Sequence, residues 1–365
     1  MCQKFQEKST THKNTAYLKG QIKMLSRKSV LIVIVLITGL FLVACQPAAP
    51  TTVAPATSVS ETAANQPDYA GKKVLFVNSY HEGYEWSDGI GTGIHSVLDP
   101  SGVEIRDFYM DTKNNPSSDF CMQAGNDAQA VIDSFQPDVI IASDDNAQRC
   151  LIVPHVLNTT EPVVFTGVNW DASKYGYPTD HVTGMVEVEL IDQLFDHLRR
   201  YANDERLAMV TIDTETERTV ADVYNERFFD RKMTAYFATT QDEFESMFLQ
   251  AQENADIILV SNNAGTEWDD ARAQAFFNTN TRVATGSINA WIAPYALITI
   301  GKVPEELGEW AAQTALSILD GTPISDIAIE TNKRGTLILN LNIAEALDIT
   351  FEPNMLRFAE IYGGE

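Results

Sequence analysis

Positive charge is scarce in this sequence of 365 residues, in which 26 Lys and Arg stand against 50 Asp and Glu. Removing residues 1–44 takes away seven basic residues and one acidic residue, and leaves a net charge of −30. Because nucleic acids and anionic lipid headgroups attract basic surfaces, this acidity argues against binding to either of them. Any attachment to a membrane must therefore come from another feature of the chain.

Cysteine and histidine are also few, with four and six residues. The sequence contains no Cys-x-x-Cys pair and no Cys/His cluster with metal-ligand spacing, so no metal site is predicted. It also lacks the His-Glu-x-x-His and Gly-x-Ser-x-Gly motifs of hydrolases. The run Gly89-Ile90-Gly91-Thr92-Gly93 has neither the spacing nor the strand-turn-helix context of a dinucleotide-binding loop. We therefore predict that the protein is not an enzyme and needs no cofactor.

The longest apolar run, residues 29–45, is shorter than the roughly 20 residues that usually span a membrane. It follows three basic residues, as an export signal does: Lys23, Arg27 and Lys28. Its last residues, Leu42-Val43-Ala44-Cys45, resemble a bacterial lipobox, in which the Cys becomes the lipidated first residue of the mature protein. The resemblance implies a lipid anchor at Cys45. An uncleaved N-terminal membrane anchor is the alternative.

The segments around this run have simple compositions. Residues 1–44 read as an N-terminal extension and lipoprotein signal peptide, with translation starting at Met1 or Met24. Residues 45–71, rich in Ala, Pro and Thr, cannot bury enough apolar surface to fold and are predicted to be a flexible tether. Beyond them, Cys121 and Cys150 could form one disulfide in an oxidising compartment or remain two buried thiols.

From Lys72 onward, apolar strands alternate with helical segments. The first strand, Lys73–Ser79 (KVLFVNS), is a continuous apolar run of the kind buried on both faces of a parallel sheet. The alternation restarts after a join near Gly184–Val188, and strict alternation is typical of right-handed βαβ units. The sequence therefore predicts an α/β protein with two doubly wound parallel-sheet lobes.

From about Lys72 to its end, the chain resembles a known family, the substrate-binding proteins of ABC importers that have the type I periplasmic-binding fold. The resemblance is to the broad group whose better-known members bind aromatic amino acids. The residues that carry it are Thr183-Gly184-Met185, Gly308 through Gly321, Leu339-Asn340-Leu341, Ala344, Ala346-Leu347, Ile349, Asp144-Asp145-Asn146-Ala147 and Gly167-Val168-Asn169-Trp170-Asp171.

That resemblance implies a multi-strand hinge of three crossovers, with the helix Pro304–Leu319 packing back on the first lobe. We predict that lobe 1 contains residues 72–186 plus 293–321. Lobe 2 then contains residues 187–292 plus 322–365.

Ligands of open parallel sheets bind outside the carboxyl ends of the strands, so the residues just after each predicted strand are the candidates. The loop after the first strand is rich in aromatic, imidazole and acidic side chains, and polar or aromatic residues follow five other strands. The predicted ligand-binding residues are Ser79, Tyr80, His81, Trp86, Asp88, Asp144, Asp145, Asn146, Asn169, Trp170, Asp213, Asn262, Asn263 and Asn289. Some of them have ordinary structural roles as alternatives: Trp86 as a core anchor, Asp88 as a first-turn charge, and the Asn pair as turn formers.

These loops are rich in acids and poor in Arg, which favours a ligand that bears an amine or several hydroxyls over a phosphate. With the family resemblance, the sequence predicts a monomeric, extracytoplasmic solute-binding protein, anchored to the cell membrane only by the lipid on Cys45. It would capture a small polar ligand between the lobes and deliver it to an ABC permease. A ligand-sensing receptor that feeds a membrane kinase or cyclase is the alternative, and an exported α/β enzyme is the third reading.

Overall fold

The computed structural model describes residues 69–364, which belong to one compact unit. The predicted export signal, the lipidation site Cys45, nearly all of the tether and both alternative starts, Met1 and Met24, lie outside the described residues. Within the described range, no helix combines the length and apolar character that crossing a membrane requires.

The first part of the described chain alternates between strands and helices. It forms β1 (Lys73–Asn78), α1 (Glu85–Leu98), β2 (Glu104–Tyr109), α2 (Ser118–Phe135), β3 (Val139–Ser143), α3 (Asp144–Ala147), β4 (Val163–Asn169) and β5 (Val182–Glu187). The segment Gln148–Val156 continues α3 as a π-helix. The side chain of Ser117 accepts a hydrogen bond from the backbone N–H of Phe120, which fixes the start of α2.

The second part repeats the pattern. It forms α4 (Ile191–Leu198), β6 (Leu207–Ile212), α5 (Glu215–Arg227), β7 (Thr234–Ala238), α6 (Gln241–Asn254), β8 (Ile257–Val260), α7 (Asp270–Asn280), β9 (Ala284–Ser287) and β10 (Ile298–Lys302). Side-chain oxygens of Thr214, Thr240 and Asp269 each accept from a backbone N–H three residues on, and so start α5, α6 and α7.

The closing part leaves the alternation. It forms α8 (Pro304–Leu319), β11 (Glu330–Thr331), β12 (Gly335–Asn340), α9 (Leu341–Ala346), α10 (Pro353–Phe358) and β13 (Glu360–Tyr362). A proline at its first position suits the start of α8, where the backbone N–H has no partner within the helix.

The described strands form two sheets. The first has six strands in the order β11-β5-β4-β3-β1-β2, and all neighbours are parallel. The second has seven, in the order β13-β12-β10-β9-β8-β6-β7, with β12 antiparallel to β10. The predicted α/β class with two parallel-sheet lobes is confirmed. The antiparallel pair arises because β12 enters the sheet at the end where β10 leaves it, so that Gly335 lies opposite Lys302.

The closing part does not divide between the lobes as the sequence suggested. Residues 293–321 were assigned to lobe 1, and of these α8 does pack on the first lobe, whereas β10 belongs to the second sheet. Conversely, β11 lies in the first sheet, although residues 322–365 were assigned to lobe 2. The reason is that the chain leaves the second sheet only after β10, adds β11 at the edge of the first sheet, and then returns to add β12 and β13 beyond β10.

Side chains of β1 alternate between two cores on opposite faces of the first sheet. Val74 and Phe76 pack with the apolar faces of α1 and α8, whereas Leu75 and Val77 pack with those of α2 and the π-helix. All four side chains are fully buried. A third core fills the second lobe around β6, β8 and β10.

Helices α1 and α8 cross at very short range because both carry glycine at the contact. A Cβ atom on Gly93 would lie 2.3 Å from the carbonyl oxygen of Glu305, and one on Gly308 would lie 2.0 Å from that of Ile90. The glycine run of residues 89–93 thus has a packing role: it brings α8, and the crossover before it, close to the first sheet.

A disulfide links Cys121 in α2 to Cys150 in the π-helix, with Cα atoms 5.8 Å apart. Of the two states left open by the sequence, the structure has the bonded one. Gly125, one turn beyond Cys121, lets the two segments touch, since a Cβ there would lie 1.9 Å from the carbonyl oxygen of Cys150.

The chain passes between the sheets three times: after β5, between β10 and α8, and between β11 and β12. Lys302 on the second crossover donates to Glu187 at 2.5 Å and to Glu189 at 2.8 Å, both on the first. Asn332 on the third accepts from the backbone N–H of Val188 at 2.6 Å and donates to its carbonyl oxygen at 3.1 Å. Side-chain hydrogen bonds therefore tie the three crossovers to one another.

Candidate ligand-binding cleft

A cleft of about 430 Å³ lies beside the crossovers, where the carboxyl ends of strands from both sheets meet. The first sheet contributes the loop after β1 and the ends of β3, β4 and β5, and the second contributes the segment after β9 and the end of β10. The lining residues are Tyr80, Tyr84, Glu85, Trp86, Asp144, Asn169, Glu187, Ile288, Asn289, Ala290, Trp291, Gly301, Lys302 and Pro304. Five of the residues predicted from the sequence are among them: Tyr80, Trp86, Asp144, Asn169 and Asn289.

The loop after β1 forms an aromatic wall. The rings of Tyr80 and Tyr84 meet edge to face with centroids 5.3 Å apart, and the ammonium of Lys113 lies within 5.2 Å of both. The indole of Trp86 donates from Nε1 to Oδ1 of Asp144 at 3.3 Å. Burial, followed by the charge of Asp144, raises the pKa of Tyr80, so that this phenol stays neutral.

Asp144 directly follows β3 as the first residue of α3 and has a left-handed backbone, φ 65°. Its side chain lines the cleft but is only 2% exposed, and Oδ2 has no hydrogen-bond partner within residues 69–364. Burial, and after it the nearby carboxylate of Glu187, raises the pKa of Asp144 well above its usual range. The cleft therefore contains a carboxyl group that favours its protonated form.

The next residue, Asp145, has the opposite surroundings. It accepts hydrogen bonds from Tyr175 at 2.7 Å and from Nδ2 of Asn169 at 2.9 Å, and pairs with Lys174 at 2.8 Å. Burial would raise the pKa of Asp145, but these three partners outweigh it and lower the pKa. Asp145 thus stays ionised and fixes Asn169, which lines the cleft.

Lys302 is a lining residue that the sequence analysis missed, together with Glu187. Its ammonium is bound by Glu187 and Glu189 and lies 5.3 Å from the ring of Trp86. Burial disfavours the charge of Lys302, but the two carboxylates outweigh it and raise the pKa. One signal was present: the apolar strand ITIG ends in a lysine within a markedly acidic chain.

Ser79 and Asn146 lie under the cleft and are not part of its lining. The hydroxyl of Ser79 donates to the carbonyl oxygen of Ser143 at 2.6 Å and accepts from the N–H of Ala147 at 2.7 Å. Asn146 donates to the hydroxyl of Thr112 at 2.8 Å. Ser79 thus joins the end of β1 to the start of α3, and Asn146 joins α3 to the loop after β2.

His81 and Asp88 also lie outside the lining. His81 has Nδ1 3.7 Å from Oδ1 of Asp111, and Asp88 accepts from the backbone N–H of Gly83 at 3.1 Å. These contacts shape the loop that carries Tyr80 and Trp86.

Asp213, Asn262 and Asn263 in the second lobe do not line the cleft either. Asp213 forms a two-pronged ion pair with Arg218, at 2.6 and 2.7 Å. Asn262 donates to the carboxylate of the buried Glu217 at 3.0 Å, and Asn263 is half-buried. Asn289 is the member of the predicted second-lobe set that does line it, and its Nδ2 donates to the carbonyl oxygen of Ser261 at 2.7 Å.

Trp170 joins the lobes beside the cleft. It follows β4 in the first lobe with a left-handed backbone, φ 64°. Its ring lies 6.2 Å from that of Tyr224, 5.9 Å from that of Phe228 and 5.2 Å from the guanidinium of Arg227, all from the second lobe. The contacts of its ring are thus with the other lobe, while its backbone N–H donates to the carbonyl oxygen of the lining residue Glu187 at 3.0 Å.

Comparison with known proteins is consistent with this arrangement. No curated protein matches the chain significantly. A protein from Streptococcus pneumonia, solved as an ABC domain in complex with L-Trp, is 14% identical with a TM-score of 0.51, over 80% of this chain and 99% of that one. A substrate binding protein with adhesive properties from Clostridium difficile, solved ligand-free and open, is 17% identical with a TM-score of 0.59, over 80% of this chain and 100% of that one. At these identities the likeness shows the fold, which is that of type I periplasmic binding proteins.

The family is shown by sequence. A family model described as ABC transporter substrate binding protein matches residues 85–361, which include every described strand except β1 and the last residue of β13, together with the crossovers and most of the cleft lining. The chain belongs to the ABC transporter substrate binding protein family.

Proposed function

We propose that this protein captures a small polar solute in the cleft between its lobes and delivers it to an ABC permease. The observation that carries the proposal is the lining itself, because strand ends of both sheets and a crossover contribute aromatic and carboxyl side chains to one cavity. Small-molecule sites combine an apolar wall with a few polar groups in this way. Closure of two lobes around a ligand is a known motion of such proteins. The complex of the Streptococcus pneumonia relative with L-Trp supports a ligand of this size.

Binding without catalysis is part of the proposal. Of the three carboxyl groups that line the cleft, Glu187 is paired with Lys302, Asp144 is buried against the indole of Trp86, and Glu85 is exposed, so no two of them form an acid-base pair. The family membership, which is that of solute-binding proteins, supports the same view.

A binding assay with two tryptophan variants tests the capture function. The solute that binds the full chain in a screen of amines, amino acids and sugars should stabilise it by about 2.7 kcal/mol at 100 times its Kd. Trp86→Ala should weaken that binding by about thirtyfold, equivalent to about 2 kcal/mol, because an aromatic wall of the cleft is lost. Isothermal titration calorimetry measures both.

Trp310→Ala is the matched control. Trp86 and Trp310 are both half-buried and pack on the same core, but only Trp86 lines the cleft. Equal losses of affinity in the two variants would contradict the assignment of the cleft. Unchanged uptake of the solute in cells that lack the protein would contradict delivery to a permease.

We also propose that a lipid on Cys45 anchors the protein outside the cytoplasmic membrane, with residues 45–71 as the tether. The support is the lipobox-like Leu42-Val43-Ala44-Cys45 after a signal-like apolar run. Cells fed labelled palmitate should incorporate the label into the wild-type protein and into Cys2→Ala, but not into Cys45→Ala. Label in Cys45→Ala, or none in the wild type, would favour an uncleaved N-terminal anchor instead.

A further inference from the structure

Carboxyl groups outnumber cations among the described residues that line the cleft. Among its described lining residues, Glu85, Asp144 and Glu187 carry carboxyl groups, and Lys302 is the one cation. The ammonium of Lys302 already has two carboxylate partners, at 2.5 and 2.8 Å, and the ring of Trp86 at 5.3 Å. A carboxylate on a ligand would have to take Lys302 away from these partners.

Separating Lys302 from Glu187 and Glu189 is energetically unfavourable. The side chains of Lys302, Glu187 and Glu189 are 17%, 8% and 16% exposed, so water replaces a lost partner poorly. Removing one partner from a buried ion pair leaves the other charge uncompensated. The cleft is therefore a poor receptor for the acidic half of an amino acid.

Asp144 has the opposite property, because it lacks a donor. Its Oδ1 accepts from the indole of Trp86, while its Oδ2 is buried without a hydrogen-bond partner in the described part of the chain. Asp144 favours its protonated form in the free protein, and an ammonium placed beside it favours the carboxylate, which releases the proton to solvent and accepts from the ligand through Oδ2. The charged groups that influence Asp144 most are the carboxylates of Glu187 and Asp145, so the local field favours a positively charged donor.

Aromatic rings complete this set of groups. Tyr80, Tyr84, Trp86 and Trp291 line the same cavity, which has room for a flat group. The face of an aromatic ring attracts an ammonium, so a cation gains from the walls as well as from the carboxyl groups. Trp291 is 57% exposed and leaves ring surface available to a ligand.

We propose that the solute is a small organic cation without an acidic group, whose ammonium pairs with Asp144 and whose apolar body lies against the aromatic walls. The proposal rests on the proposed capture function and narrows its ligand class. It distinguishes this protein from a receptor for zwitterionic amino acids. The ammonium of a zwitterion could pair with Asp144, but its carboxylate would find Lys302 already paired with Glu187 and Glu189.

Three small molecules with the same phenol ring test the proposal by calorimetry on the full chain. Tyramine carries the amine alone, L-tyrosine carries the amine and a carboxylate, and 3-(4-hydroxyphenyl)propanoate carries the carboxylate alone. We expect tyramine to bind at least about tenfold more tightly than L-tyrosine, a difference of about 1.4 kcal/mol, and the propanoate not to bind.

Binding of L-tyrosine as tightly as tyramine, or binding of the propanoate, would overturn the cation proposal and leave capture intact. Binding of a neutral sugar such as ribose by a protein that ignores all three would do the same. If no amine, amino acid or sugar binds, both the cation proposal and the capture function fail.

Discussion

Replacing Lys302 by Met is expected to lower the free energy of unfolding by about 3–5 kcal/mol, because it leaves Glu187 and Glu189 as buried carboxylates without their counter-ion. The contact holds the first two crossovers together, so the loss affects both lobes. Urea or thermal unfolding of the purified protein measures the effect.

Lys333→Met is the matched control. It is the same substitution, also on a crossover, but the side chains of Lys333 and its partner Glu330 are 71% and 44% exposed. An exposed pair of this kind contributes between about 0 and 1 kcal/mol. If the two variants lose equal stability, the buried network does not have the role assigned to it.

The second large effect concerns Asp144, where stability and binding should change in opposite directions. Without ligand at pH 7, Asp144→Asn should be more stable than the wild type. The raised pKa of Asp144 makes folding of the wild type less favourable at this pH, because the unfolded chain has already released the proton, and Asn removes this effect. Each 1 kcal/mol gained should raise Tm by about 2–4 °C. The affinity for tyramine should fall by about thirtyfold or more, since a buried charge partner is lost.

The pH dependence follows from the direction of the shift. The unfolded chain ionises Asp144 near its ordinary pKa of about 3.9, whereas the folded chain retains the proton to a higher pH. The wild type therefore loses stability as pH rises from the unfolded to the folded pKa. The advantage of Asp144→Asn should grow over that interval and vanish below about pH 3.

Asp145→Asn provides the control, since the carboxyl of Asp145, next to Asp144 in the chain, has a lowered pKa. That carboxylate contributes stability that is present above the unfolded pKa and lost as pH falls through the folded one. The Asn variant should thus be less stable than the wild type at pH 7. If both substitutions changed the free energy of unfolding at pH 7 in the same direction, the contrast between the surroundings of Asp144 and Asp145 would be contradicted.

The sequence predicted the fold well where local pattern determines structure. Buried strands such as β1 are continuous apolar runs, and the starts of α5, α6 and α7 have capping side chains that can be read directly. The direction of β12 was beyond that method, because it depends on the end of the sheet at which a crossover arrives.

For the cleft, the rule that ligands meet strand ends located Tyr80, Trp86, Asp144, Asn169 and Asn289 in its lining. The same rule also selected side chains that form hydrogen bonds with other residues of the protein and do not line the cleft. Asp213 is bound by Arg218, and Asn262 by Glu217, which the sequence does not reveal because the binding depends on tertiary distances. Lys302 and Glu187 were missed because the strands that they end were not predicted: the segment of β5 was interpreted as a join near Gly184–Val188, and no strand was predicted at β10.

The three crossovers also limit how the lobes can move. The three crossovers lie side by side and are joined by hydrogen bonds of Lys302 and Asn332. Such a hinge favours bending of the lobes about one axis over sliding or twisting between them. Relative motion of the lobes is then reduced to a single angle. A partner that contacts both lobes needs to sense only that angle to distinguish a loaded protein from an empty one.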